Sequence, residues 1–165
     1  MILLTVGTQF PFDRLVRAVD DLAGRGVINE QVFAQTGTTS YRPRNFTSVP
    51  SLEKETLDKY FKEAAMIISH AGMGTISTAM QYDKALLVMP RLKKYGEVVN
   101  DHQVSIARRF EKLGYLLAAY QAEELPEKIR LLRTFVPRKR RAQPELVAER
   151  IIRFLKELTT ENKKE

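Results

Sequence analysis

Ser69-His70-Ala71-Gly72-Met73-Gly74-Thr75 follows directly on the apolar run Ala64-Ala65-Met66-Ile67-Ile68. A buried strand that ends in a glycine-spaced turn and then opens a helix aims backbone N–H groups beyond the strand. Those donors lack carbonyl partners and sit at the positive end of the helix dipole, so the spot suits a phosphate or diphosphate. The turn has fewer glycines than a dinucleotide fingerprint and lacks the lysine of a P-loop. It points away from NAD and from ATP hydrolysis.

Upstream of this turn the pattern alternates strand and helix. Ile2-Leu3-Leu4-Thr5-Val6 reads as a strand ending at Gly7, and Leu15, Val16, Val19 and Leu22 give helical spacing between Pro11 and Gly24. Gln31 to Gln35 and Phe46 to Val49 read as strands, and Lys54 to Lys62 as a helix. Downstream, a helix runs from Gly74 to about Tyr82, and the strand Ala85 to Met89 stops at Pro90. Lys93 to Val99 reads as a polar, mobile, lid-like loop, and Asp101 as the cap of a helix that Gly114 ends. A strand over Tyr115 to Ala118 and a helix over Leu125 to Phe135 follow. The last helix, about 144–158, carries an apolar stripe of Leu146, Val147, Ile151, Ile152, Phe154 and Leu155. This alternation predicts one α/β domain over residues 1–165, a Rossmann-like parallel sheet with helices on both faces. Ligands of such sheets sit beyond the carboxyl ends of the strands.

Composition narrows the class. The chain has 165 residues, 44% hydrophobic and 28% charged, as in an ordinary globular protein with a real core. No apolar run approaches the ~18 residues of a membrane span, and the N-terminus lacks a signal-peptide pattern. With no cysteine and only His70 and His102, thiolate sites and most histidine zinc sites are excluded. A cytoplasmic protein is expected. The net charge of +7 includes the run Arg138-Lys139-Arg140-Arg141, which has no interleaved aromatics. A nucleic-acid platform is therefore not expected, whereas an anionic membrane surface fits.

Three loops after strands share one chemistry: Gly7-Thr8-Gln9, Thr36-Gly37-Thr38 and the turn from His70 to Thr75. Each combines glycine with hydroxyl or amide side chains. Brought together at one sheet edge, they make an anion or nucleotide site. A ring nitrogen of His70 then meets a phosphate oxygen; the plainer alternative is a strand-end histidine satisfied by backbone. Asn100-Asp101-His102-Gln103 holds more polar groups than a helix cap needs and suits the hydroxyls of a sugar.

As an ordered set, Thr5-Val6-Gly7-Thr8-Gln9 with Phe12-Asp13-Arg14-Leu15, Gln35-Thr36-Gly37, the His-Ala-Gly turn and Asn100-Asp101-His102-Gln103 resembles glycosyltransferase family 28. More narrowly it resembles the stand-alone C-terminal, donor-binding half, over about residues 1 to 135. The start Gly7-Thr8-Gln9-Phe10-Pro11-Phe12-Asp13 is nearest to subunits of bacterial exopolysaccharide and capsule transferases. The subunit of the dolichol-linked N-acetylglucosaminyltransferase is similar too.

The resemblance implies a GT-B glycosyltransferase split in two, inverting and independent of metal or cofactor, with a UDP-sugar as donor. It carries diphosphate contact to Thr8, Gln9, His70, Gly72, Gly74 and Thr75, with Gly7, Thr36, Gly37 and Met73 in the same loops. His70 is the catalytic candidate, stabilising charge on the departing UDP. Asn100, Asp101, His102 and Gln103 are expected near the sugar or its phosphate. The family usually places a Glu against the ribose hydroxyls; by register this chain has Thr78, which cannot accept from two hydroxyls as a carboxylate does. A membrane-anchored partner subunit would supply the lipid-linked sugar acceptor, holding this chain at the inner face of the membrane. A general base is not evident, Asp13 being read more simply as part of a helix start. The competing reading is a non-catalytic nucleotide-binding subunit that stabilises such a complex. A free-standing nucleotide hydrolase is disfavoured, because no carboxylate cluster for Mg²⁺ accompanies the glycine turns.

Overall fold

The computed structural model of the chain describes residues 1–139 and 144–161. Six parallel strands form one sheet: β1 (Ile2–Thr5), β2 (Val32–Gln35), β3 (Thr47–Val49), β4 (Met66–His70), β5 (Ala85–Met89) and β6 (Leu117–Ala118). Their spatial order is β3-β2-β1-β4-β5-β6, so the chain reverses direction across the sheet between β1 and β4. At such a switch point the loops leaving two neighbouring strands part to opposite faces and open a crevice.

The helices are α1 (Asp13–Gly24), α2 (Lys54–Glu63), α3 (Met73–Gln81), α4 (His102–Lys112), α5 (Leu125–Leu132) and α6 (Pro144–Glu161). Alternate strand residues feed two cores. Leu4, Ile68 and Leu87 face α1 and α5 on one side, while Leu3, Ile67 and Leu86 face α2, α3 and α4 on the other. The near-continuous apolar runs of β1, β4 and β5 follow from burial on both faces.

The connection from β2 to β3 has no helix and lies against α1 instead. Phe12 N–H donates to Thr39 Oγ1 at 3.0 Å, and Tyr41 N–H to Asp13 Oδ1 at 2.6 Å. The buried Asp20 carboxylate accepts from Tyr41 Oη and from the backbone of Arg44 and Asn45. Burial raises the Asp20 pKa, but the bonds from Tyr41, Asn45 and Arg44 outweigh it and hold the carboxyl below its ordinary value. A recess of about 730 Å³ beside this anchor, between Arg17 and Arg44, opens where the chain enters β3. It therefore lies away from the strand ends that carry the glycine turns.

Two local expectations are corrected. The segment after β5 is not an open lid, because Glu97 and Val98 are buried and a 3-10 turn occupies Lys93–Tyr95. Nor does Asp101 cap α4. It stands at the cap position, but its carboxylate accepts from Lys93 N–H at 2.7 Å, and Asn100 Oδ1 takes the His102 N–H. α6 runs to Glu161, with Ile151, Ile152, Phe154 and Leu155 each more than half exposed. Arg140 and Arg141, and the side chains of Leu146 and Val147, lie outside the described residues. Among the described residues no helix is long and apolar enough to cross a membrane.

Candidate functional site

β1 and β4 are neighbours, so the loops leaving them meet at the switch point. Ser69 Oγ donates to Thr5 O at 2.5 Å and ties the two strand ends together. A cavity of about 250 Å³ opens above them. One wall is the glycine turn and first helical turns, at Gly74, Thr75 and Thr78; another is the β1 loop at Gly7 and Thr8. The remaining side is apolar, formed by Leu52, Leu57 and Phe61, with Thr5 and Gln35 below.

The glycines of the three loops after β1, β2 and β4 have different causes. Gly7 has φ +73° and Gly37 φ +58°, and a Cβ on Gly37 would run into the Gly7 carbonyl. The turn of Thr36 and Gly37 therefore braces the β1 loop from behind. At Gly72 a Cβ would collide with the His70 ring. At Gly74 a Cβ meets no atom within 4 Å. Packing within the protein explains the first three of these glycines and leaves the fourth facing open space beside the cavity.

Gly72 stands at the N-cap of α3 and offers no side-chain cap, so no cap meets the first-turn N–H groups, which have no intrahelical partner. Thr78 Oγ1 donates to Gly74 O at 3.0 Å, so the lone pairs of its oxygen remain as acceptors at the cavity wall.

The His70 ring packs against Gly7 and Gly72, between the two loops. Burial and then the charge of Arg91 push its pKa down to about 4, despite the Thr5 carbonyl, which favours the protonated form. The imidazole is neutral near pH 7. The Ser69 hydroxyl proton is spent on Thr5 O, so Ser69 Oγ is an acceptor toward His70 Nδ1, 3.2 Å away. This assigns the ring proton to Nδ1 and leaves Nε2 with a lone pair.

The structure gathers only part of the expected set. Gly7, Thr8, Gly74, Thr75 and Thr78 line the cavity, and His70 stands between its loops. Gln9 and Met73 are exposed beside it. Thr36 is buried, with its hydroxyl donated to Val49 O, and Gly37 N–H goes to Pro50 O, so this turn acts through Gly7. Asn100, Asp101 and His102 stand exposed on the neighbouring strand end. Gln103 is buried, its Oε1 accepting from Arg91 N–H at 3.1 Å. Sequence reasoning missed Gln35 and the apolar trio Leu52, Leu57 and Phe61. Gln35 had a signal, a polar residue closing an apolar strand; Leu57 and Phe61 are indistinguishable from ordinary helix packing, and Leu52 is a lone apolar residue before the helix.

Comparison with known proteins decides the family. The family model of the glycosyltransferase family 28 C-terminal domain matches residues 1–158. The chain belongs to this family. A UDP-N-acetylglucosamine transferase subunit ALG13 from Candida albicans is 35% identical over 71 residues, which cover 43% of this chain and 22% of that protein. The Mus musculus protein of the same name is 30% identical over 122 residues, or 68% of this chain and 10% of that protein. The chain thus spans about a quarter or less of these curated relatives. Among solved structures, an NMR structure of ALG13 aligns with TM-score 0.56 and 19% identity, covering 82% of this chain and 87% of that one. Acinetobacter baumannii MurG aligns with TM-score 0.55 and 22% identity, over 81% of this chain and 42% of that one. These likenesses establish the fold as that of the C-terminal half of a GT-B glycosyltransferase.

Proposed function

We propose that this chain is the donor-binding subunit of a split glycosyltransferase. It binds a UDP-sugar and transfers the hexose to a lipid-linked acceptor in polysaccharide biosynthesis, of the exopolysaccharide or capsule type. The observation that carries this reading is the cavity at the switch point, where an uncapped helix N-terminus and a bare Gly74 meet the β1 loop. Such a corner offers fixed N–H donors to a diphosphate. The apolar wall of Leu52, Leu57 and Phe61 suits the flat face of the nucleobase.

In the proposed reaction an acceptor hydroxyl attacks the anomeric carbon as the bond from that carbon to the UDP oxygen breaks. UDP leaves with the bonding electron pair, and the configuration inverts. Charge growing on the leaving phosphate is met by the first turn of α3, and by His70 once its Nε2 has taken up a proton. Each well-placed donor of this kind is commonly worth ~3–4 kcal/mol. The acceptor proton passes to a base. Asp13 is engaged with Tyr41 N–H, so we assign the base to the partner subunit, which also holds the lipid-linked acceptor.

The exposed apolar side chains of α6 and a basic residue such as Lys139 fit a cytoplasmic chain docked on a membrane-anchored partner. The relatives from Candida albicans and Mus musculus are transferase subunits by name, which supports a two-chain enzyme. The test is calorimetry with UDP and UDP-sugars, followed by transfer assays with the co-expressed partner, with and without EDTA. Binding of UDP, and transfer that survives EDTA, are expected. A chain with no affinity for UDP would sink the donor reading.

A further inference from the structure

Beside the cavity, Arg91 and Arg14 stand over the Phe12 ring, and Glu97 pairs with Arg14. Arg91 is 3% exposed, and its Nη2 donates to Val6 O and to Phe10 O, each at 2.6 Å. Those two carbonyls flank the Gly7-Thr8-Gln9 loop, so the guanidinium closes the loop like a chord across an arc. The guanidinium carbons of Arg91 and Arg14 stand 5.1 and 5.3 Å from the centre of the Phe12 ring. Glu97 accepts from Arg14 Nε and Nη2 at 2.9 and 2.8 Å and from Leu92 N–H at 2.9 Å.

A buried cation is costly unless something requires it. Burial pushes the Arg91 pKa down to about 10, with the Glu97 charge only partly opposing, and its Nε has no partner. An apolar side chain of similar length would fill the space without that cost. It would not bridge the two loop carbonyls.

We propose that Arg91 is a positioning residue for the donor site, holding the Val6–Phe10 segment in the shape that presents Thr8 and Gln9 to a diphosphate. This rests on the donor-site reading. Its backbone N–H also donates to Gln103 Oε1 in the first turn of α4, so the same residue connects the loop to the start of that helix.

The test compares Arg91→Met, Arg91→Lys and a remote core control, Leu22→Ala, which lies near the far end of α1. Arg91→Met should displace the amide signals of Gly7, Thr8 and Gln9 in proton–nitrogen spectra and weaken UDP binding roughly tenfold or more. Arg91→Lys, which still offers N–H donors, should recover part of both. Leu22→Ala should lower Tm while leaving the loop signals and UDP affinity in place. Wild-type loop signals and affinity in Arg91→Met, or an equal loss of affinity in Leu22→Ala, would overturn the proposal. Wild-type protein that binds no UDP fails the donor reading instead, and the loop signals then still decide whether Arg91 holds the loop.

Discussion

The side-chain amide of Gln35 brackets the backbone of Gly7: its Oε1 accepts from the Gly7 N–H at 3.2 Å and its Nε2 donates to the Gly7 carbonyl at 3.1 Å. The same amide reaches Thr5 Oγ1 and Pro50 O, so one buried side chain fastens three segments around a left-handed glycine. Gln35→Leu keeps the approximate size and removes every bond. Leaving these polar groups unmet should cost about 1–3 kcal/mol in urea unfolding. Affinity for UDP should fall with it, since the loop that faces the diphosphate loses its brace.

Gly72 and Gly74 are two residues apart and should respond oppositely. Gly72→Ala drives a methyl group into the His70 ring and should destabilise the fold. Gly74→Ala finds open space within a helix, where alanine is favoured over glycine by about 1 kcal/mol. Its Tm should hold or rise while UDP-sugar binding drops, because the methyl group covers the N–H groups of the first turn. Unchanged binding in Gly74→Ala would mean the ligand approaches elsewhere.

His70 gives a pH dependence with a definite sign. Its pKa is lowered from 6.5 to about 4 in the folded chain, so between those values the unfolded chain holds a proton that the folded chain does not. Stability should therefore be constant above about 6.5 and fall as pH drops toward 4, by an amount of the order of 3 kcal/mol. His70→Gln should flatten that limb of a urea-midpoint profile. Glu30, held down to about 2 chiefly by its bond from Arg133, acts at lower pH: it loses its contribution as pH falls from 4.5 toward 2.

The bare Nε2 of His70 makes a separate prediction for binding. A lone pair repels a phosphate oxygen, so contact needs a proton on Nε2; while Nδ1–H stays on Ser69 Oγ, that proton is a second one on the ring. Affinity for a UDP-sugar, whose diphosphate diester does not itself titrate near neutrality, should rise as pH is lowered. Calorimetry in buffers of different ionisation heat should register proton uptake. Binding without proton uptake would mean that the phosphate is met by the backbone donors or by the other neutral tautomer of His70.

Thr78 lines the cavity with its hydroxyl proton already given to Gly74 O. Thr78→Val removes an acceptor without changing shape and should weaken UDP binding by about 1 kcal/mol, a few-fold in Kd. Thr78→Glu should strengthen it if the ribose hydroxyls lie at this wall.

Much of this arrangement was legible in the sequence. The apolar strands announced themselves because both faces of β1, β4 and β5 are buried, and the glycine turn after β4 stands where its spacing put it. What escaped was set by partners far along the chain. The Lys93 to Val99 segment reads as a lid by its polarity, yet Glu97 is fixed by Arg14, 83 positions away. Asp101 reads as a cap by its position, yet its carboxylate serves Lys93 N–H. The apolar wall stayed hidden because Leu57 and Phe61 keep the same spacing on α2 whether they face a core or a ligand, and Leu52 is a lone apolar residue before that helix.

The bond from Ser69 to Thr5 joins residues 64 positions apart across the central strand pair. Both halves of the proposed donor pocket hang from that pair, so no partly folded chain lacking it can hold a nucleotide. The ligand should then act as a selective stabiliser of the complete fold. At a hundred times its Kd it would add about 2.7 kcal/mol. A thermal-shift series over nucleotide sugars would accordingly rank the candidate donors, even before the acceptor has been found.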